Sequence, residues 1–559
     1  MGDSVRRILA GSIGNCIHVI GVRNFLSLAE KAGMQTTFLG GAIPVERFVE
    51  AIRRENPDIV GVSYRLAPDV CSRLLAELRD QLRSNGLLEG RTYLFGGTAE
   101  TGRIARGAGF FAEVFDGTQT QEDVIAFVRN LAGMPLLVRP SSRPSHPGTL
   151  VERIAARKPF PLIRHHIGLP SVEETVAAIT RIADAEALDV VSIAPDQVAQ
   201  EALFRPEEQA ESGRGAGGVP IRSREDLERI YDATRRGNLP LCRCYSGTQD
   251  VLQWAQLLAE TIRNAWCAVP LSWYNQMDKR GPRPFSQSVR EAMTLMRWHA
   301  ERGIPVEVNE PHQWSLRRAS DGITVATAYL AAYNAKKAGV HHYVSQYMLG
   351  TPAGMSLAMD LAKMCAMIDL VESLHDQTFR SYREIRPGLS SFPAEPAEAR
   401  SQLVLSTVIG MALEPDILHV VAACEGHHTA GADDILESVR MATWAVARCR
   451  EGLPGGALLA DETIRRRREE LRAQAQVVLD AIRTLGDGAS DPLADPDVLE
   501  RAVRTGILDA PDLEGSGVAP GSIATAIRDG RCVPIDRETG AELSEAERVR
   551  QALAKAGGL

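Results

Sequence analysis

At 559 residues the chain exceeds what one ordinary hydrophobic core fills, so several units are expected, or fewer if one is a barrel. Apolar residues make up 44% and charged residues 24%, the balance of a soluble globular protein rather than a disordered or fibrous one. A formal net charge of −8, with no lysine/arginine run interleaved with aromatics, argues against nucleic acid as a partner. The start, MGDSVRRILAGSIGN, lacks a long apolar run with a small-residue cleavage site, and no later stretch reaches about 18 uninterrupted apolar residues. A cytoplasmic protein without membrane contact is expected. The nine cysteines are odd in number, contain no C-x-x-C pair and show no zinc-ligand spacing, so they read as reduced thiols.

From Val5 to about Leu131, apolar runs alternate with helical periodicity: RRILAGSI, TTFLGG, DIVGVSY and TYLFGG as strands; FLSLAEKAG, VERFVEAIRRE, LLAELRDQLRS and DVIAFVRNL as helices. Strands and helices joined by short turns predict a doubly wound parallel sheet over residues 1–135. Its candidate loops each follow a strand: the His18 turn, Ser63, Gly96–Gly97 and Asp116–Gly117. In such sheets they share the ligand-binding rim at the strands' carboxyl ends.

VRPSSRPSHPGTL is rich in proline and serine and reads as a linker, over 136–150. Beyond it, LDVVSIAP, LPLCRCYS, NAWCAVPLSW, IPVEVNE, HHYVSQY and ILHVVAA alternate with strong helical patterns, which predicts a (β/α)8 barrel over 151–455. The remainder, 456–559, reads as a helical and irregular extension. Its first helix carries RRRR between glutamates, read as a solvated, salt-bridged face.

The chemistry starts at GNCIHVIGVRNFLSLAE, 14–30, where a single histidine sits in a glycine-rich turn between an apolar strand and an amphipathic helix. A neutral imidazole there is a ready metal ligand. With VGVSYRL, LFGGT and FDGTQT, the turn resembles the lower-axial-ligand loop of cobalamin-binding domains, whose pattern is D-x-H-x-x-G, then S-x-L, then G-G. The corresponding residues are Cys16, His18 and Gly21, then Ser63 with Leu66 one residue late, then Gly96 and Gly97, with Asp116 and Gly117 as further cofactor contacts. The resemblance implies that His18 ligates cobalt and that the cofactor's nucleotide tail inserts beside the serine and glycines. Cys16 stands where the family has the aspartate that fixes the histidine. Asn15 could supply that hydrogen bond if the turn is shifted by one residue, or cobalamin could bind without His18.

A cobalamin domain ahead of a barrel resembles glutamate mutase with its small subunit fused before its large one. PLCRCYSGTQDVLQWAQLLAE resembles the segment bearing a substrate-binding arginine, here Arg243, or Tyr245 in its place. VPLSWYNQMDK resembles the tyrosine-bearing substrate loop, with Trp273 and Tyr274, and VVAACEGHHTAG the loop whose glutamate contacts the adenosyl ribose, here Glu425. ILDAP and GRCVPIDRETGA echo the large subunit's tail. Where the family has an acid for the substrate's ammonium, this chain has WCAVP around Cys267, which makes glutamate itself a poor expectation, since each buried charge needs a partner. Arg243, Tyr245, Trp273, Tyr274, His312, Gln313, Gln346 and Tyr347 are the expected pocket, with Gln346 and Glu425 also facing the cofactor. His427 and His428 are secondary candidates.

The resemblance thus implies an adenosylcobalamin-dependent carbon-skeleton mutase acting on a small carboxylic or amino acid. A methylcobalamin methyltransferase and a non-catalytic cobalamin carrier are the alternatives. Subunit number is open, a homodimer being one outcome.

Overall fold

The computed structural model describes residues 5–131, 146–209, 214–215, 217–453 and 455–557. The chain divides into two compact units, Met1–Pro144 and Ser145–Leu559. Most of the expected linker, residues 136–145, lies outside the described residues.

In the first unit, strands β1 (Arg7–Ile13), β2 (Gln35–Ile43), β3 (Ile59–Ser63), β4 (Thr92–Gly96) and β5 (Glu113–Phe115) form one parallel sheet in the order β2-β1-β3-β4-β5. Helices α1 (Ile20–Lys31), α2 (Val45–Glu55), α3 (Pro68–Ser84), α4 (Ala99–Ala108) and α5 (Gln121–Leu131) provide the crossovers. The doubly wound parallel sheet expected from the alternating runs is therefore present, with the flavodoxin-like strand order. α2 shows why the sequence folds this way: Val45, Phe48, Val49, Ala51 and Ile52 are buried while Glu46, Arg47, Arg53 and Arg54 face out. The strand order reverses between β1 and β3, so the binding crevice of such a sheet falls at the carboxyl ends of these two strands. Register brings Ser12, Ser63, Gly96 and Phe115 side by side at that rim.

The second unit contains eight parallel strands: β6 (Leu162–Ile167), β7 (Val190–Ile193), β8 (Leu241–Cys244), β9 (Cys267–Val269), β10 (Val306–Val308), β11 (His342–Leu349), β12 (Arg380–Pro387) and β13 (Ile417–His419). Ladders run continuously from β8 through β6, β13 and β10 to β9, and one bridge between Tyr245 and Ala268 joins the two ends. The expected barrel is present. Two of its strands, β6 and β12, are missing from the sequence-derived set.

The lumen is built in layers because side chains alternate along each strand. Leu162, Val190, Leu241, Val344, Tyr382 and Ile417, with Trp266, pack into one apolar cluster near the strand starts. Two residues further on lie Arg164, Ser192, Arg243, Glu384 and His419, and Glu307 joins them from β10. Two more residues along come His166, Tyr245 and Arg386.

After the barrel come helices Gly455–Leu459, Glu462–Leu485 and Pro496–Arg504, an antiparallel hairpin of β14 (Ala524–Arg528) and β15 (Arg531–Ile535), and helix Glu545–Gly557. The RRRR run corrects one expectation. Arg465 and Arg466 are solvated, but Arg467 is buried and donates to Asp321 Oδ2 at 3.1 Å, and Arg468 pairs with Asp369 at 2.6 Å. Helical periodicity turns Arg467 inward, where the buried Asp321 carboxylate meets it. No helix of the described residues is long and apolar enough to cross a membrane.

Candidate functional site

In the first unit, a groove of about 750 Å³ opens at the strands' carboxyl ends and runs beneath α1. Its floor is made of small residues, Ala10, Gly61, Gly96 and Gly97, and Val22, Phe25 and Leu28 of α1 cover it. A Cβ on Gly97 would lie 2.3 Å from Thr101 Oγ1 and 2.6 Å from the Tyr64 carbonyl, so only glycine permits this packing. Thr101 is fixed by reciprocal capping bonds with Thr98 at the start of α4.

His18, Gly21, Ser63, Gly96, Gly97 and Gly117 all line the groove. Cys16 is buried beneath the His18 turn, Leu66 packs against the core, and the Asp116 carboxylate accepts from Arg106 at 2.6 Å and Thr118 Oγ1 at 2.6 Å. These last three therefore support the rim rather than line it. His18 is exposed, as are the flanking Ile17 and Ile20, at 71% and 63%. Nδ1 of His18 lies 3.8 Å from Cys16 Sγ. Asn15, the alternative partner, instead accepts from the Tyr64 hydroxyl at 3.0 Å. With Nδ1 protonated toward the sulfur, Nε2 carries the free lone pair a metal requires.

Residues 6–125 match the family model for the B12 binding domain. The first unit contains a cobalamin-binding domain. Among solved structures, similarity extends to a novel cobalamin-binding protein from Desulfitobacterium hafniense DCB-2, at 23% identity and TM-score 0.20, covering 23% of this chain and 58% of that one. The signal receiver domain of the response regulator NarL from Mycobacterium tuberculosis matches at 17% identity and TM-score 0.17, covering 23% of this chain and 98% of that one. The chain thus spans just over half the length of the cobalamin-binding protein it matches. The donor set of this B12 domain fits the cofactor: an exposed imidazole lines the groove, the floor of glycine and alanine suits an extended nucleotide tail, and Lys31 and Arg65 in the lining suit its phosphate.

In the barrel, a cavity of about 140 Å³ lies over the ionic layer, lined among others by Arg243, Tyr245, Tyr274, Glu307, Gln346 and Arg386. Arg164 donates to Glu384 at 2.6 Å, and Arg243 donates to Glu307 at 2.8 Å. Glu307 also accepts from Trp266 Nε1 at 2.7 Å. Burial raises the Glu307 carboxyl, but the Arg243 and Arg164 guanidiniums outweigh it and hold the group below its usual range. Arg243, expected to anchor substrate, is thus 1% exposed and committed to Glu307.

Arg386 differs. Its one hydrogen bond among the described residues is Nε to the Pro387 carbonyl at 3.3 Å, and no carboxylate pairs with it. Arg164 and Arg243 are ion-paired with Glu384 and Glu307, whereas Arg386 acts on a carboxylate only at longer range, helping to hold Glu425 below its usual range. Histidines around it stay neutral. His166 accepts on Nε2 from Arg164 at 2.8 Å and lies 2.9 Å from the Tyr245 hydroxyl. Burial and then Arg164 and Arg243 push its pKa well below the ordinary value, and burial followed by Arg386 pushes His312 down to about 3.

Gln346 donates to His312 Nδ1 at 3.0 Å, and Tyr245 stacks on the Arg243 guanidinium at 4.7 Å. Tyr274 reaches the cavity wall. Trp273 and Tyr347 do not. Trp273 packs on Trp314 in the core, and Tyr347, one residue past Gln346, belongs to the packing layer outside the strands. Glu425 lies 3.3 Å from His165 Nε2 beyond β13. The sequence reading missed Arg164, His166, Glu307, Glu384, Arg386 and His419. For Arg164, His166, Glu384 and Arg386 the signal was the alternation L-x-R-x-H in β6 and Y-x-E-x-R in β12; Glu307 and His419 come from β10 and β13 and carry no such pattern.

The loop after β13 also brings Cys424, His428 and Asp434 together, their ligand atoms all within 4.8 Å of one another. No two of them have a spacing that marks a zinc motif, and all nine cysteines are free thiols, as expected.

Proposed function

We propose that the protein is an adenosylcobalamin-dependent carbon-skeleton mutase, resembling glutamate mutase, whose substrate is a small carboxylic acid without an ammonium group. Arg386 carries this reading: it is a cation with no carboxylate partner among the described residues, over a layer whose other charges are paired, in a chain with a B12 domain. It is suited to a carboxylate, and its fork matches one bidentately. No carboxylate lining the cavity is free to meet an ammonium, because Glu307 already faces two arginines.

Adenosylcobalamin, when bound, supplies the organic radical that starts such a rearrangement. The chain's residues do the rest. His18 would ligate cobalt through Nε2, and the glycine-floored groove would hold the nucleotide tail. Tyr245 and His166, aligned by Arg243 and Arg164, offer neutral hydrogen bonds to substrate beside Arg386. Glu425, held by His165, would bind ribose hydroxyls. The apolar layer near the strand starts closes the lumen to water from that end.

Reconstitution with adenosyl-, methyl- and hydroxocobalamin tests the reading. With the adenosyl form and the right acid, electron paramagnetic resonance is expected to show an organic radical coupled to cobalt. Methyl transfer without radicals would overturn the mutase reading in favour of a methyltransferase, the second reading, which the Cys424–His428–Asp434 cluster favours because methyl acceptors are commonly activated on zinc.

A further inference from the structure

The geometry points to a zinc-type metal site formed by Cys424, His428 and Asp434 on the catalytic face of the barrel, with its fourth coordination position open to water or to an anionic substrate atom. Two short-range devices assemble it. The backbone of residues 424–428 makes one helical turn, with the His428 amide donating to the Cys424 carbonyl at 3.0 Å. Residues four apart in such a turn project from the same side, which brings the thiol and the imidazole together. Asp434 comes from the first turn of helix Ala432–Gly452, where Oδ2 accepts from the Gly431 amide at 2.9 Å and lies 3.4 Å from His428 Nε2.

The dimensions suit zinc. Bonds of about 2.0–2.3 Å set tetrahedral donors about 3.3–3.8 Å apart. The imidazole–carboxylate separation already falls in that range, and the whole set lies within 4.8 Å, so closure needs about an ångström of side-chain adjustment. One sulfur, one nitrogen and one oxygen donor form a borderline-soft set that favours zinc over calcium or magnesium. Supporting bonds are present as well: the Gly431 amide fixes Asp434, and the Ala423 amide donates to Ser438 Oγ at 3.3 Å, tying the loop to the helix. Three protein ligands with one vacancy is the arrangement of catalytic rather than structural zinc. The loop follows the last barrel strand, on the face where barrels carry their chemistry. Glu425 belongs to the same turn.

The test uses the full chain without added corrinoid, so it reads independently of the mutase proposal. Chelator-stripped protein is titrated with zinc chloride, and metal content after desalting is compared for wild type, Cys424→Ser, His428→Ala and Cys449→Ser. One zinc per chain is expected, with a single sulfur neighbour at about 2.3 Å in zinc-edge X-ray absorption. Either ligand substitution should weaken binding more than about tenfold, since even outer-sphere partners are worth 10–100-fold. Cys449→Ser should bind as wild type does. His428 is 59% exposed, so His428→Ala should fold normally and remains informative if Cys424→Ser does not. Absence of zinc, zinc without a sulfur neighbour, or uptake unchanged in His428→Ala would overturn the proposal.

Discussion

Arg243 and Arg386 face one cavity, yet replacing each by glutamine should give opposite phenotypes. Arg243 is 1% exposed and bonded at 2.8 Å to Glu307, which is equally buried. Removing the guanidinium leaves Glu307 with the Trp266 indole and with Arg164 at 3.7 Å. Breaking one side of a buried pair costs about 3–5 kcal/mol. For a unit of this size that converts to roughly 1 °C per kcal/mol, so Arg243→Gln should lower Tm by about 3–5 °C. Arg386 has no carboxylate to orphan, and Arg386→Gln should leave Tm within about 1 °C. Its loss should appear in ligand binding, where a charge-assisted bond to a carboxylate contributes about 1.5–3 kcal/mol, or roughly 10–100-fold in affinity. The assay is thermal shift with and without a panel of small carboxylates, because a ligand stabilises by RT ln(1 + [L]/Kd). Wild type should be stabilised by some of them and Arg386→Gln should not. If carboxylate stabilisation persists without Arg386, or if Arg243→Gln melts with wild type, the reasoning about paired and unpaired charge is wrong.

Other consequences follow from the same geometry. Cys16→Asp should tighten cobalamin binding and sharpen the nitrogen superhyperfine splitting of the bound, one-electron-reduced cofactor, because a carboxylate in the sulfur's place is a stronger acceptor for His18 Nδ1. His18→Ala should abolish that splitting, and its persistence would remove His18 as ligand. Gly97→Ala should destabilise the B12 domain by about 1–3 kcal/mol, the usual cost of overpacking, since its Cβ meets Thr101 and the Tyr64 carbonyl inside 2.7 Å; unchanged denaturant melting would refute the close packing. Acid should unfold the barrel early. His166, His312 and His419 are held neutral, with His312 at about 3, whereas the unfolded chain protonates them near 6.5. Over that window the unfolded state binds more protons, so stability is complete above about pH 6.5 and falls as pH drops, by up to about 1.4 kcal/mol per pH unit for each histidine. A flat Tm between pH 7 and 5 would contradict this.

Much of the fold was legible because most strands announce themselves as apolar runs ended by small residues. The groove rim of the first unit was legible for the same reason: His18, Ser63, Gly96 and Gly117 each follow such a run, and register places their loops along one edge. β6 and β12 escaped because their lumen-facing side chains are charged. LIRHHI and RSYREIRP break the hydrophobic signal with the residues that fill the barrel's polar layers. Period-two alternation survives in both, but with arginine, histidine and glutamate at the inward positions. Tyr347 failed as a candidate through the same geometry, since one step along β11 exchanges the lumen for the packing layer. Arg243 was found but its pairing was not: its partner Glu307 comes from 64 residues away, and only closure of the barrel brings the two together.

The layering also separates two jobs along each strand. At the first inward position Leu162, Leu241 and Tyr382 plug the barrel; at the second Arg164 pairs with Glu384 and Arg243 with Glu307 of β10; at the third His166, Tyr245 and Arg386 reach the cavity. A charge in the second layer cannot be spared for substrate, because its partner would be left buried and bare. Under the proposed function, substrate recognition falls to the cavity-lining groups not already committed to an ion pair: His166, Tyr245 and Arg386 at the third position, with Gln346 beside them. Arg386 is the cation of this set and favours an anionic group. Changing the substrate of this barrel should accordingly require substitutions at third-layer positions, while second-layer changes move stability first and selectivity only through the tilt they give Tyr245 and His166.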